Sequence, residues 1–115
     1  MADHVFMVLS TPPEDVSSAD FSAWYDLHLR QILELPGWVA AQRFSMTFVR
    51  GTSEAGSSHT HCVRYEIEGH FEQAWQALRS AVDGGRMDFP EWFPRVETMG
   101  WLCDPASPRT VALQS

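Results

Sequence analysis

Residues 18–37 read SADFSAWYDLHLRQILELPG, and the spacing of their large side chains decides much of the fold. Phe21, Trp24, Tyr25, His28, Ile32 and Leu35 recur at steps of three and four, so they share one face of a helix. Ser17 or Ser18 offers a side-chain oxygen to cap its start, Asp20 sits in its first turn, and Pro36-Gly37 stops it.

Working outward, His4–Ser10 (HVFMVLS) is a short apolar run ended by Thr11-Pro12-Pro13. It reads as a strand buried on both faces. After the helix, Trp38–Val49 reads as a second strand and the small, polar Gly51–Ser58 as a hairpin loop. His59–Glu68 alternates, with His59, His61, Val63, Tyr65 and Ile67 on one face and Thr60, Cys62, Arg64 and Glu66 on the other. A second helix opens after Gly69, carries Phe71, Ala74, Trp75, Leu78 and Val82 on one face, and closes at Gly84-Gly85. Arg86–Pro94 is an aromatic loop, Arg95–Cys103 a fourth strand, and Asp104–Ser115 a tail or an arm that crosses to a partner.

The order β-α-β-β-α-β predicts one α+β domain over residues 1–115, with its core in 4–103 and a tail at 104–115. The plan is ferredoxin-like, a four-stranded antiparallel sheet with both helices on one face. Strands one, two and four carry apolar groups at both parities, whereas a solvated sheet face should be polar. With no spare helix to cover that face, a second copy of the chain is expected to do so, which gives a dimeric α+β barrel.

Composition narrows the function. Eight basic residues stand against 15 acidic ones, for a net charge of −7, so nucleic acid and anionic membranes are excluded as partners. All eight are Arg; without Lys there is no Schiff-base chemistry. No run approaches the ~18 apolar residues that span a bilayer. Met1-Ala2-Asp3-His4 lacks the pattern of a secretion signal, and Cys62 and Cys103 have no CxxC spacing. The expectation is a reduced, cytoplasmic protein.

The stretch Phe21-Ser22-Ala23-Trp24-Tyr25-Asp26-Leu27-His28, followed by Leu35-Pro36-Gly37 and Ala41-Gln42-Arg43-Phe44, resembles the EthD-like branch of the dimeric α+β barrel proteins. There a first helix of the form F-x-x-W-Y-D-x-H runs into L-P-G and a strand with A-x-R-[FY]. The resemblance implies a pocket between helices and sheet with the His of the first helix pointing into it. Related barrels include cofactor-free cyclases, isomerases and dehydratases, quinone-forming monooxygenases, haem-degrading enzymes and proteins without assigned activity, so fold alone does not name the reaction.

His28 is therefore the first candidate, either as a core histidine or as a pocket imidazole exchanging a proton near pH 7. Tyr25, one turn away, and His61, inside the third strand, are the candidate assistants. Trp24, Tyr65, Phe89, Trp92, Phe93 and Trp101 are candidates for lining an apolar substrate pocket. Asp26 lies about 200° around the helix from His28, so it is expected to pair with Arg30 rather than with the imidazole. Arg43 and Arg64 either pair with Glu66, Glu68 or Glu97 or bind a substrate carboxylate. His59 and His61 form an H-x-H, but no carboxylate or Cys completes a metal set at an expected spacing, so neither metal nor cofactor is expected. His4 and His70 look peripheral.

These residues predict a cofactor-independent lyase, isomerase or cyclase acting on an apolar, oxygenated, aromatic or polyketide-like molecule. The rivals are a non-catalytic binding or accessory protein, and a cofactor-free or haem-linked monooxygenase of the same fold. The haem-using relatives rely on an Asn, and this chain has none.

Overall fold

The computed structural model describes residues 2–52 and 59–113. Its elements are β1 (His4–Thr11), α1 (Ser18–Ile32), β2 (Trp38–Ser45), β3 (His61–Ile67), α2 (Phe71–Asp83) and β4 (Glu97–Cys103), with a single 3-10 turn at Phe93–Arg95. The strands pair antiparallel throughout in the order β2-β3-β1-β4. The fold is the ferredoxin-like α+β plan.

Local chemistry accounts for the element ends. Ser17 caps α1, its hydroxyl accepting from the Asp20 amide at 3.1 Å. Gly37 turns the chain into β2 with φ at +90°, and a Cβ there would lie 3.0 Å from the Ala74 methyl of α2. Only glycine satisfies both demands. Beside it, Trp38 Nε1 donates to the Ala74 carbonyl at 2.9 Å and ties β2 to α2 inside the core.

Alternation along β3 sends Val63, Tyr65 and Ile67 under the helices, where they meet Phe21, Trp24, Tyr25 and Ile32 of α1 and Ala74 and Ala81 of α2. Each fully buried large side chain contributes roughly 1.5–3 kcal/mol, and Phe21, Ile67 and Val63 are essentially sealed.

Two sequence expectations need correction. The second strand stops at Ser45 rather than Val49. A further bond between the β2 and β3 segments runs from Met46 N to Thr60 O at 2.8 Å, and beyond it Phe48 and Val49 are exposed and outside any strand. The loop read at Gly51–Ser58 falls at 53–58 outside the described residues. The first strand is half-buried rather than buried on both faces, Ser10 excepted. It is central, with Phe6 and Val8 packed beneath the helices. Met7 is cross-strand from Trp101 and Arg64, and Leu9 from Met99 and Cys62, on the face that this chain leaves open.

Candidate functional site

The two helices and the sheet do not close completely on one another. A cavity of about 230 Å³ remains, floored by Phe6, Val8, Tyr65 and Gly100. Its walls are Tyr25, His28 and Ile32 of α1 and Trp75 and Leu78 of α2, with Trp38, Phe93 and Thr98 completing it. Gly100 helps to make the hollow. A Cβ at that position would stand 2.9 Å from Phe6 Cζ, so only glycine lets that ring lie on β4. The polar groups of the lining are the His28 imidazole, the Tyr25 and Tyr65 phenols, the Thr98 hydroxyl and the committed indole N–H of Trp38. Among the described residues no Asp, Glu or Arg lines it.

His28 reaches the cavity because it sits at the middle of the buried stripe of α1. Its ring stacks on Trp24 with centroids 4.7 Å apart and planes 21° from parallel. Tyr25 meets it edge-on at 5.7 Å, and Phe89 covers it from the loop, also at 5.7 Å. Burial lowers its pKa from 6.5 to about 4, so the ring is neutral at pH 7. A proton exchange poised near pH 7 is thus corrected for the empty site: the ring starts as a weak base. Nδ1 is shut off from solvent and has no hydrogen-bond partner. An orphaned N–H costs more than a bare lone pair. The favoured tautomer therefore carries its proton on Nε2, which is also the nitrogen left for a guest.

The phenols respond to the same dryness. Burial raises the Tyr25 pKa, opposed by the Ser10 hydroxyl and the Arg43 guanidinium. Burial raises that of Tyr65 well above the usual range, and Tyr25 adds to the effect. Both are protonated at neutral pH and available as donors. Ser10 is sealed under the helices, yet no hydrogen bond of good geometry reaches its Oγ.

Among the other sequence candidates, Tyr65 and Phe93 line the cavity. Trp24 and Phe89 pack against the His28 ring and against each other, outside the cavity lining. Trp92 lies a layer further back, against Phe21 and Trp24. His61 is held beside Phe21, centroids 4.9 Å apart, and is not part of the cavity wall; burial and Arg43 lower its pKa.

Trp101 is a correction. It is cross-strand from Met7, one residue out of phase with Thr98 and Gly100, and is 55% exposed on the open face of the sheet. Parity on β4, which the sequence leaves ambiguous, decides its side.

The expected charge pairs also change. Asp26 pairs with Arg43 at 2.8 Å rather than with Arg30. Arg43 in turn reaches no strand carboxylate: it donates to Ser22 O at 3.3 Å and Ser22 Oγ at 3.0 Å, and lies over the Tyr25 ring. The bridge from β2 to α1 uses up a guanidinium that had been a candidate for a substrate carboxylate. His4 pairs with Asp104 at 2.6 Å and His70 caps α2 without a side-chain bond. Among the described residues no group of three or more His, Cys, Asp or Glu is placed to hold a metal ion. Nor, among the described residues, is any helix long and apolar enough to cross a membrane.

Sequence reasoning missed Phe6, Val8, Thr98 and Gly100 as site residues. Strand pairing would have found them, because Phe6 and Val8 are cross-strand from Tyr65 and Val63 and share their face.

No family model and no curated protein matches this sequence. Solved structures do resemble it. The Arabidopsis thaliana protein At3g17210 superimposes with a TM-score of 0.57 at 13% identity, covering 96% of this chain and 99% of that one. A monooxygenase candidate from Shewanella loihica PV-4 gives 0.50 at 20% identity, again over 96% and 99%. At these identities the likeness shows the shared ferredoxin-like fold.

Proposed function

We propose that this protein is a cofactor-independent enzyme of the lyase, isomerase or cyclase type, in which His28 transfers a proton on a small, uncharged, oxygenated substrate. The supporting observation is a neutral, half-buried imidazole stacked on Trp24, on the wall of an apolar cavity whose described lining holds two protonated phenols and no formal charge. An apolar cavity of 150 Å³ takes up benzene, so about 230 Å³ suits a mono- or bicyclic ring system.

The low basicity of the empty site does not oppose the reaction. The resting ring presents Nε2–H, so His28 acts as a base at Nε2 from its other tautomer, with its own proton on Nδ1; removing a proton next to a carbonyl then leaves an enolate beside the new imidazolium. In an apolar site that ion pair raises the affinity of His28 for the proton. Hydrogen bonds from Tyr25 and Tyr65 to the enolate oxygen count for more there than in water. The same proton moves on to the product oxygen or carbon, so the cycle needs no redox partner.

In this reading the chain is EthD-like and works as a dimer. The open sheet face carries Met7, Leu9, Phe44, Met99 and Trp101, a surface suited to a second copy of itself. A second reading is a cofactor-free monooxygenase on the same cavity. The name of the Shewanella loihica structure favours it, and an enolate or phenolate formed at His28 is the species that would meet oxygen.

The test uses proton exchange. Neutral aryl ketones and naphthols are incubated in D₂O with the wild-type protein and with His28→Gln and His28→Ala, and exchange is followed by NMR. Exchange catalysed by the wild type and lost in both variants supports the reading. Uptake without exchange favours a binding protein, oxygen consumption favours the monooxygenase, and exchange that survives both variants overturns the role of His28.

A further inference from the structure

We propose that Gln31 and Asp88 form a clasp that holds the Phe89 ring over His28, which makes both positioning residues for that imidazole; this rests on His28 being the working group. Gln31 lies on α1 three residues beyond His28, and its amide exchanges two hydrogen bonds with a single residue of the 86–93 loop. Nε2 donates to Asp88 Oδ2 at 3.0 Å, and Oε1 accepts from Asp88 N at 3.2 Å. From four residues before His28, Trp24 Nε1 donates to the Asp88 carbonyl at 2.9 Å. Three bonds from α1 thus converge on one loop residue.

The next residue in the chain is Phe89. Its centroid is 5.7 Å from His28 and 4.7 Å from Phe93, which lines the cavity. Phe89 is 38% exposed, so burial alone holds it weakly. Its neighbours Asp88 and Glu91 are solvated, and Arg86 is too. The buried Met87 and the Trp24 bond would still anchor the loop before Phe89, but without the clasp the ring would lift more readily and water would reach His28 more often. Apart from the loop, the titratable groups packed around His28 are Tyr25 on its own helix and Tyr65 across the cavity from β3; α2 contributes only Trp75 and Leu78.

The experiment compares wild type with Gln31→Met, Gln31→Glu, Asp88→Ala and Asp88→Asn. Two properties of His28 are read: the midpoint of its ring titration by NMR, and its rate of modification by diethyl pyrocarbonate, located by mass spectrometry. Circular dichroism checks folding. Gln31→Met, Gln31→Glu and Asp88→Ala are expected to move the midpoint up toward 6.5 and to speed modification about tenfold. Asp88→Asn keeps an acceptor for Gln31 and is expected to stay close to wild type.

Folded Gln31 variants with an unmoved midpoint and unchanged modification rate would overturn the clasp; Gln31 is half-buried and Asp88 exposed, positions that tolerate change. If wild-type His28 itself titrates near 6.5, the reading of the site fails instead, and the modification rates still decide the clasp.

Discussion

The two faces of the sheet are built from alternate residues of the same strands, yet they solve opposite problems. On the helix side Val63, Tyr65 and Ile67 are sealed by their own chain, and a hollow beside His28 is left unfilled. On the other side Phe44, Met99 and Trp101 are as apolar but stand uncovered, Trp101 at 55% exposure. The comparison separates two uses of apolar surface: one face turns it to folding and a cavity, the other leaves it exposed, where the proposed dimer would cover it.

The largest effect should come from truncating one residue on each face. Ile67→Ala is expected to cost about 2–5 kcal/mol in denaturant melts, because a sealed side chain leaves a void. Trp101→Glu is expected to leave the fold of each chain within about 0.5 kcal/mol of wild type and to abolish self-association in analytical ultracentrifugation. Equal costs for the two changes would break the comparison.

Next comes acid stability. His28 is neutral in the fold down to about pH 4 but takes up a proton near 6.5 when unfolded. Its contribution is therefore intact above 6.5 and is lost as pH falls toward 4, by roughly 3 kcal/mol in all. His28→Leu should flatten that part of the stability profile; a variant that loses stability as steeply as wild type would show that other groups carry it.

Gly100→Ala sharpens the picture of the hollow. Its methyl must push the Phe6 ring, at a cost of about 1–3 kcal/mol, and the ring has the cavity to move into. Uptake of naphthol-sized ligands should fall more than uptake of phenol, as measured by calorimetry. The smallest effect expected is for Trp38→Phe, which removes the bond to the Ala74 carbonyl and should lower stability by about 1 kcal/mol.

Much of this was legible in the sequence. The stripe from Phe21 to Ile32 gave the buried face of α1 and placed His28 upon it, because helical period and burial coincide there. The alternation of β3 likewise put Tyr65 under the helices. Trp101 was misplaced because β4 is apolar at both parities, so its phase is set by pairing with β1 and not by its own pattern. Helical neighbourhood points Asp26 to Arg30, while the strand-borne Arg43 reaches it across a distance no local rule covers. Ser10, Gly100 and the Gln31–Asp88 bonds depend on long-range contacts and left no periodic trace. The depressed basicity of His28 follows from the depth of its burial, which composition does not reveal.

The most direct measurement is an NMR titration of ring-labelled histidine in the wild-type protein. The account predicts a His28 imidazole that keeps its single proton on Nε2 at neutral pH and gains a second at about pH 4. A ring that titrates at the ordinary value of 6.5 would mean that water reaches it freely, and the dry proton-transfer site described here would not exist.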